Sequence, residues 1–455
     1  MKNRVFFWNA VILTVSSVIM RLFNIWFRSL ITGLIDASGM GLYQLIFSVF
    51  SLGIILSTSG IGFAVTRLVA EGCGSRRAVR LCLCCSLTLS FAAAFVIFTY
   101  ADFIAVSWIQ DAAAALPLRL LAPGLPFIAV CSCLRGYFIA IRNTVVPVLC
   151  DFLEQIATIG GALLLLSRMK SLDAIMLGST LGEIVSCAFI GLMYLWFVKK
   201  NRFPRRYGQP LFRRVVHIAA PVLGGSVLRG TLSSVENTLI PRGLKANGAN
   251  AQDSFAQYGV MQGMVMPILF FPSAFLISLS TLMVPELAEA NAGGKTEIIK
   301  AAAARVIRFT LIFSFLVTTL LIVFADDLGM AFYRNRQAGD MLRIMAPIVP
   351  LLYLDSVVDG MLKGLDQQFY SMTYNFGDSI IRVILIGTTI PIFGIKAYIA
   401  ILFFSEIFNA SLSINRLLKV TALEVDIVDW IVTPALASAL LYYILILIQK
   451  LLCTV

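Results

Sequence analysis

The chain is built from apolar stretches long enough to cross a bilayer, and this limits its fold more than any other feature. A helical crossing needs about 20 apolar residues. Windows of that kind fall near 7–32, 38–65, 78–99, 117–141, 147–166 and 173–198, then near 215–240, 256–285, 301–324, 341–363, 370–392 and 394–416, with a last one near 428–449. Thirteen spans are expected. Hydrocarbon offers backbone amides no partner, so each span is a helix and the chain is an all-α polytopic membrane protein. Composition agrees, with 59% of the 455 residues hydrophobic, 13% charged and a mean hydropathy of +0.90.

The loops orient the spans. "KKNRFPRRYGQPLFRR", Lys199 to Arg214, holds seven Lys or Arg and no acid, and "RLVAEGCGSRRAVR", Arg67 to Arg80, holds four Arg and one Glu. Connections on the other side are short and carry Asp102, Asp111, Asp326 and Asp327. Basic loops stay in the cytoplasm, which places the N-terminus there and accounts for the net charge of +12 without a nucleic-acid partner. The opening "MKNRVFFWNAVILTV" starts like a signal peptide, but its apolar run is too long and lacks a small-residue cleavage site, so it stays as the first span.

An internal repeat organises the spans. "LRLLAPGLP" at Leu118–Pro126 lies on "LRIMAPIVP" at Leu342–Pro350 with a shift of 224 residues, and at that shift Gly136 meets Gly360 and Glu154 meets Asp378. Glu183 meets Glu406 at a shift of 223, and "TRLVAE" at Thr66–Glu71 meets "TLMVPE" at Thr281–Glu286 at 215. Each half therefore has six spans. Six is even, so both halves enter the membrane in the same sense as two pseudo-two-fold-related six-helix lobes, the arrangement of a transporter. The expected organisation is 1–198 for the N-terminal lobe, 199–214 for a basic cytoplasmic linker, 215–417 for the C-terminal lobe and 418–455 for one extra transmembrane helix. Pro123 with Pro126, and Pro347 with Pro350, should bend matching helices, either as fixed kinks or as flexing points.

Nine cysteines are spread mostly through apolar spans. "CLCC" at Cys82–Cys85 contains a C-x-x-C, but no second pair follows and His217 is far off, so packing between helices is expected rather than metal binding or disulfides.

Charges within the spans are the candidate functional residues, since each arginine at the centre of a span costs roughly 3 kcal/mol on insertion scales. Arg21 and Arg28 are seven residues apart and share one helical face with Asn24. The matching first span of the second half carries Arg229 and, again seven residues on, Glu236. A two-fold relation between the lobes would bring Arg21, Arg28, Arg229 and Glu236 around one cavity, with Asn24 on the face of the first two; the alternatives are an ion pair of Glu236 with Arg229 or Arg28 that only holds the lobes together, and snorkelling of Arg28, four residues from the end of its span. Asp378 has Arg382 four residues on as a neutralising partner, whereas its counterpart Glu154 has Thr158 there and either binds protons or pairs with another helix. Asp355 and Asp359 are also four apart, and either take part with a coupling proton or sodium ion or lie on a solvated face. Glu154, Asp355, Asp359 and Asp378 are thus the ion-coupling candidates. No cofactor is expected.

Three stretches carry a family resemblance: "GLYQLIFSVFSLGIILSTSGIGFAVTRLVAEG" at Gly41–Gly72, "LRGYFIAIRNTVVPVLCDFLEQ" at Leu134–Gln155 and "VENTLIPRGL" at Val235–Leu244. The chain resembles the polysaccharide biosynthesis, stage V sporulation protein B-like branch of the multidrug, oligosaccharidyl-lipid and polysaccharide flippase superfamily, related to the lipid II flippases. The resemblance implies a monomer whose lobes form a V-shaped central cavity. By alternating access it would move a polyprenyl-diphosphate-linked sugar across the cytoplasmic membrane, for peptidoglycan or another polysaccharide and in a sporulation or cell-wall setting. It also implies cavity arginines on the first span, matching Arg21 and Arg28. Lipid II flippases carry further arginines on the second and eighth spans, where "SLGIILSTSG" and "YGVMQGMVMPILFFPSAF" have none, so the implied substrate is the class of anionic lipid-linked saccharides. Relatives often have two helices after the core, against one here. Guanidinium groups in a low-dielectric cavity suit a diphosphate.

Other functions fit less well. A cation-coupled multidrug exporter of the same fold would put the weight on Glu236, Asp355 and Asp359. A membrane-embedded transferase needs catalytic groups on sizeable polar loops, whereas loops here stay within about 20 residues and His217 is the sole histidine, so no enzyme is expected. A scaffold would not need charges buried in both halves.

Overall fold

The computed structural model describes the backbone of residues 2–71, 75–141, 143–200, 211–423 and 428–453, and among the described residues every regular element is helical. In chain order these are α1 (Lys2–Thr58), α2 (Ile61–Ala70), α3 (Ser75–Thr99), α4 (Ala101–Phe103), α5 (Ala115–Leu121), α6 (Gly124–Ala140), α7 (Val145–Leu165), α8 (Ser171–Lys200) and α9 (Leu211–Ala246). They continue with α10 (Ala251–Tyr258), α11 (Met266–Phe270), α12 (Ser273–Ala292), α13 (Thr296–Val323), α14 (Ala325–Tyr333), α15 (Arg336–Met345), α16 (Val349–Gly364), α17 (Gln368–Phe393), α18 (Ile395–Thr421) and α19 (Thr433–Cys453).

Ten helices among the described residues are long and apolar enough to cross a membrane, or twelve when each of two bent pairs counts as one span. The first of them, Ile19–Ala70, contains a break at Asp36, whose φ of 59° and ψ of −179° are non-helical. The expectation of thirteen spans divides this stretch in two, at 7–32 and 38–65. This backbone region is natural only to glycine, so Asp36 is held there by its surroundings at a cost on the order of 1–3 kcal/mol. The expected linker is already helical from Leu211, and its residues 201–210 lie outside the described residues.

The chain forms two compact units, one of residues 1–23 and 42–238, the other of 24–41 and 239–455. The core of the first joins Val65 and Leu68 of α2, Val79 and Cys82 of α3, Tyr137 and Phe138 of α6, Ile190 of α8, and Val215 and Ala219 of α9. Polar contacts also tie α9 into this unit. Ser48 Oγ donates to Ser234 Oγ at 3.4 Å, Asn237 Nδ2 donates to Ser48 Oγ at 3.2 Å, and Trp108 Nε1 donates to Thr238 Oγ1 at 2.7 Å. Near the start of α9, Arg214 bonds Glu71 at 2.6 Å, and Arg67 bonds the same carboxylate at 2.9 Å. The Arg67 hydrogen bond, with help from Arg214, holds the Glu71 carboxyl below its ordinary range.

In the second unit the α1 segment 24–41 packs against α10 and the π-helical turn Gly259–Val265 that follows it. A Cβ at Gly259 would stand 2.2 Å from the Ala37 carbonyl oxygen, and one at Gly41 would stand 1.9 Å from that of Phe255. Hydrocarbon provides no hydrophobic drive between helices, so close backbone approach at small residues is a main source of packing energy. Buried tyrosines add polar ties, with Tyr353 donating to the Leu269 carbonyl at 2.7 Å and Gln262 donating to the Tyr398 hydroxyl at 2.6 Å.

The paired prolines act differently in the two halves. Around Pro123 the span breaks, α5 and α6 meeting at 45°, and the Leu120 carbonyl at the break accepts from Thr180 Oγ1 at 2.7 Å. Around Pro347 and Pro350 the span Arg336–Gly364 is not broken in this way; a 3-10 turn at Ala346–Ile348 absorbs the prolines, and the Ala346 carbonyl accepts from Thr318 Oγ1 at 3.5 Å. The second broken span is elsewhere, at 57° between Phe270 and Ser273, where Pro272 follows the π-helical turn.

The repeat also reappears as an ion pair. Asp102 pairs with Arg119 at 2.5 Å in the first unit, and Asp326 pairs with Arg343 at 2.6 Å in the second. Both pairs span 17 residues, and they are related by the 224-residue shift of the flanking proline motifs.

Candidate functional site: charged residues in the spans

The five candidate residues on the two matching first spans fall in both units. Arg21, Arg229 and Glu236 belong to the first, Asn24 and Arg28 to the second. Arg21 and Arg28 are half-buried and Asn24 is exposed. Arg229 is exposed and enters no ion pair among the described residues, whereas Glu236 is 7% exposed. Arg229 and Glu236 are seven residues apart on the helix α9 and differ in burial. The reason is packing along the α9 axis: Ser234, Glu236 and Thr238 are enclosed, but the turn around Leu228 and Arg229 stands open.

Arg28 enters no ion pair among the described residues, and its Nη1 is buried without a hydrogen-bond partner. The next residue, Ser29, donates through Oγ to the Phe332 carbonyl at the end of α14, which docks this part of α1 on that helix.

Glu154 follows the second of the two alternatives open to it and pairs with another helix. Arg135 of α6 places Nη2 2.8 Å from Glu154 and 2.8 Å from Asp151, both on α7. Ser186 of α8 donates to Glu154 at 3.3 Å, and Glu183 lies within electrostatic reach of all three charges. Arg135, Asp151 and Glu183 were missed in the sequence reading. The three-residue spacing of Asp151 and Glu154, which puts both on one face, was the available signal.

Asp359 is likewise paired, with Lys363 Nζ at 2.6 Å one helical turn on, and Ser371 donates to its other oxygen. That i,i+4 pair was legible in the sequence. Asp355 accepts from Asn409 at 3.0 Å, while its Oδ1 is buried and unpartnered. Asp378 accepts from Ser405 at 2.6 Å with Arg382 within electrostatic reach, and Glu406 faces Asp355, Asp378 and Arg382. A cavity of about 290 Å³ in this unit is lined by Ser280, Ser356, Asp359 and Lys363. The two units thus place carboxylates at repeat-related positions, Glu154 with Asp378 and Glu183 with Glu406, but draw their arginine from different helices, Arg135 on α6 and Arg382 on α17.

The seven cysteines whose side chains are described are free. Cys131 and Cys150 pack beside Ser186, at 3.2 and 3.4 Å from its hydroxyl. Among the described residues no three His, Cys, Asp or Glu side chains are placed to hold a metal ion.

The family model for polysaccharide biosynthesis proteins matches residues 7–285. The chain belongs to that family. A second model, MatE, matches residues 253–387. Stage V sporulation protein B of Bacillus subtilis (strain 168) is 25% identical over 87% of this chain and 80% of its own length, and sporulation protein YkvU of the same organism is 24% identical over 68% and 71%. Among solved structures, the lipid II flippase MurJ in an inward closed conformation superposes with a TM-score of 0.70 at 12% identity, over 97% of this chain and 100% of that one. An inward-facing multidrug resistance MATE family transporter gives 0.67 at 15% identity, over 90% and 96%. Family and fold together make this chain a multi-pass membrane protein of the polysaccharide biosynthesis family, with the fold that the lipid II flippase and MATE transporter structures share.

Proposed function

We propose that the protein translocates a polyprenyl-diphosphate-linked saccharide across the bacterial cytoplasmic membrane by alternating access, with its N-terminus in the cytoplasm. The observation that carries this reading is Arg28, whose Nη1 is buried in a membrane span with no hydrogen-bond partner among the described residues. Such a charge is costly to retain without a partner, and a diphosphate would offset that cost through charge-assisted bonds. Similarity to stage V sporulation protein B and to a lipid II flippase supports a lipid-linked cell-envelope precursor as substrate class. Arg21, Asn24, Arg229 and Glu236 are proposed as further substrate-binding residues. Purified wild type should bind a polyprenyl-diphosphate sugar, and Arg28→Ala at equal folded fraction should bind it on the order of ten- to a hundredfold more weakly. Arg28→Lys should recover only part of that loss, because an ammonium keeps the charge and lacks the planar fork. Equal affinity in all three proteins would refute the assignment.

Coupling to a proton or sodium ion is proposed at Asp355, whose Oδ1 has no partner, with Glu154, Asp359 and Asp378 in supporting positions. Asp355→Asn should abolish the dependence of transport on an imposed ion gradient while leaving the protein inserted and folded. Gradient dependence equal to wild type would exclude Asp355. A cation-coupled multidrug exporter is the second reading, favoured by the same unpartnered carboxylate and by the MATE-like fold. Export of cationic drugs by reconstituted protein, without binding of the lipid-linked sugar, would select it.

A further inference from the structure

Tyr333 closes α14 and is 4% exposed, yet its hydroxyl has no hydrogen-bond partner. Arg28 Nη1, also buried and unpartnered, belongs to the same unit. The two positions adjoin, because Ser29 donates to the carbonyl of Phe332, and the Arg28 charge reaches the Tyr333 phenol. Each unsatisfied buried donor costs about 1–3 kcal/mol, and buried polar groups without a partner are few in native proteins. Two of them at adjoining positions call for a common explanation.

A guanidinium N–H can only donate, and a phenol hydroxyl donates or accepts. No hydrogen bond joins the two groups, so what they have in common is the need for an acceptor oxygen. The cation favours an acceptor with negative charge. Competing acids on α14 are engaged or remote: Asp326 is taken by Arg343, and Asp327 is six residues, nearly two turns, from Tyr333. Burial pushes the Tyr333 phenol up to about 12 against the opposing pull of Arg28, so the hydroxyl keeps its proton at physiological pH and is able to donate.

We infer that Arg28 and Tyr333 together hold one phosphate group of the substrate, Nη1 and the phenol hydroxyl each donating one hydrogen bond to it, which makes Tyr333 a substrate-binding residue. The inference rests on the lipid-linked diphosphate reading above. The bond from Arg28 is charge-assisted at both ends, and that from Tyr333 at the acceptor. In this arrangement the phenol adds geometric selectivity: it fixes the phosphate against rotation about the single guanidinium contact.

The test uses the full-length protein in nanodiscs with three probes: a long-chain polyprenyl diphosphate, inorganic pyrophosphate and phosphatidylglycerol. Without ligand, Tyr333→Phe should melt at or above the wild-type temperature, since it removes an unsatisfied hydroxyl and keeps the ring. It should nevertheless bind the polyprenyl diphosphate about tenfold more weakly. The Arg28→Ala, Tyr333→Phe double variant should lose less than the product of the single losses, as expected for two donors on one group. Wild-type affinity in Tyr333→Phe overturns the inference and leaves the lipid-linked reading standing. Binding of inorganic pyrophosphate that depends on Tyr333, with none of the lipid, keeps the phosphate site and overturns the lipid-linked reading. Equally Tyr333-dependent binding of phosphatidylglycerol assigns the pair to bilayer headgroups and overturns its substrate role. A wild type that binds none of the three overturns both.

Discussion

Arg135→Leu is expected to destabilise the first unit by about 3 kcal/mol, the lower end for breaking a buried ion pair because the three side chains are about a third exposed. The substitution removes the cation that, among the described residues, bonds both Asp151 and Glu154, and it leaves Glu183 facing two uncompensated carboxylates. Repulsion among these groups then acts across α7 and α8. Thermal unfolding in detergent should show a marked drop in melting temperature for the single variant. Adding Asp151→Asn and Glu154→Gln to the leucine should restore most of it, because neutral amides no longer need the guanidinium. A single variant that melts like wild type would show that the cluster contributes no net stability.

Gly259→Ala is expected to have a comparable effect in the second unit, about 3 kcal/mol, at the upper end for overpacking. The added methyl carbon meets backbone on two sides, the Ala37 carbonyl at 2.2 Å and the Gly41 nitrogen at 2.5 Å, so no side-chain rotation relieves the clash. The α1 segment must lift from the π-helical turn that begins at Gly259. Gly33→Ala is the matched control, since nothing lies within 4 Å of its Cβ position and an alanine in a helix gains about 0.8–1.0 kcal/mol over glycine. Melting temperatures of the two variants should move in opposite directions. If Gly259→Ala melts at or above wild type, the close crossing does not limit stability.

Much of the architecture could be read before the structure. Breaks between spans sit where small, polar or proline residues interrupt the apolar runs, as at Asp36 in "IDASGMG", the fourth of the five residues expected to connect the first two spans. The repeat was equally legible, and the proline motifs that reveal it contain Arg119 and Arg343, whose pairing with Asp102 and Asp326 at equal separation repeats in both units. Proline behaviour was legible only in part. Removing an amide at Pro123 or Pro350 is a local fact, but whether the helix then breaks or tightens into a 3-10 turn depends on which neighbours, such as Thr180 or Thr318, reach the freed carbonyls.

The sequence alone determined that the chain is a bundle of membrane helices with an internal repeat and costly charges inside its spans, because hydrophobic length, loop charge and motif spacing are properties of contiguous residues. Only the tertiary structure decided which charges are neutralised. Glu154 and Arg135 are 19 residues apart on separate helices, and no local pattern states that α6 and α7 bring them to 2.8 Å. It also decided that α9 docks on the first unit as far as Thr238 and that residues 24–41 pack with the second. Tyr333 lies outside every predicted span, and it is the contact of Ser29 with its neighbour Phe332 that brings it to the Arg28 segment. In hydrocarbon, helix association depends on close packing and on satisfying polar groups across helices, and both are set by which surfaces meet.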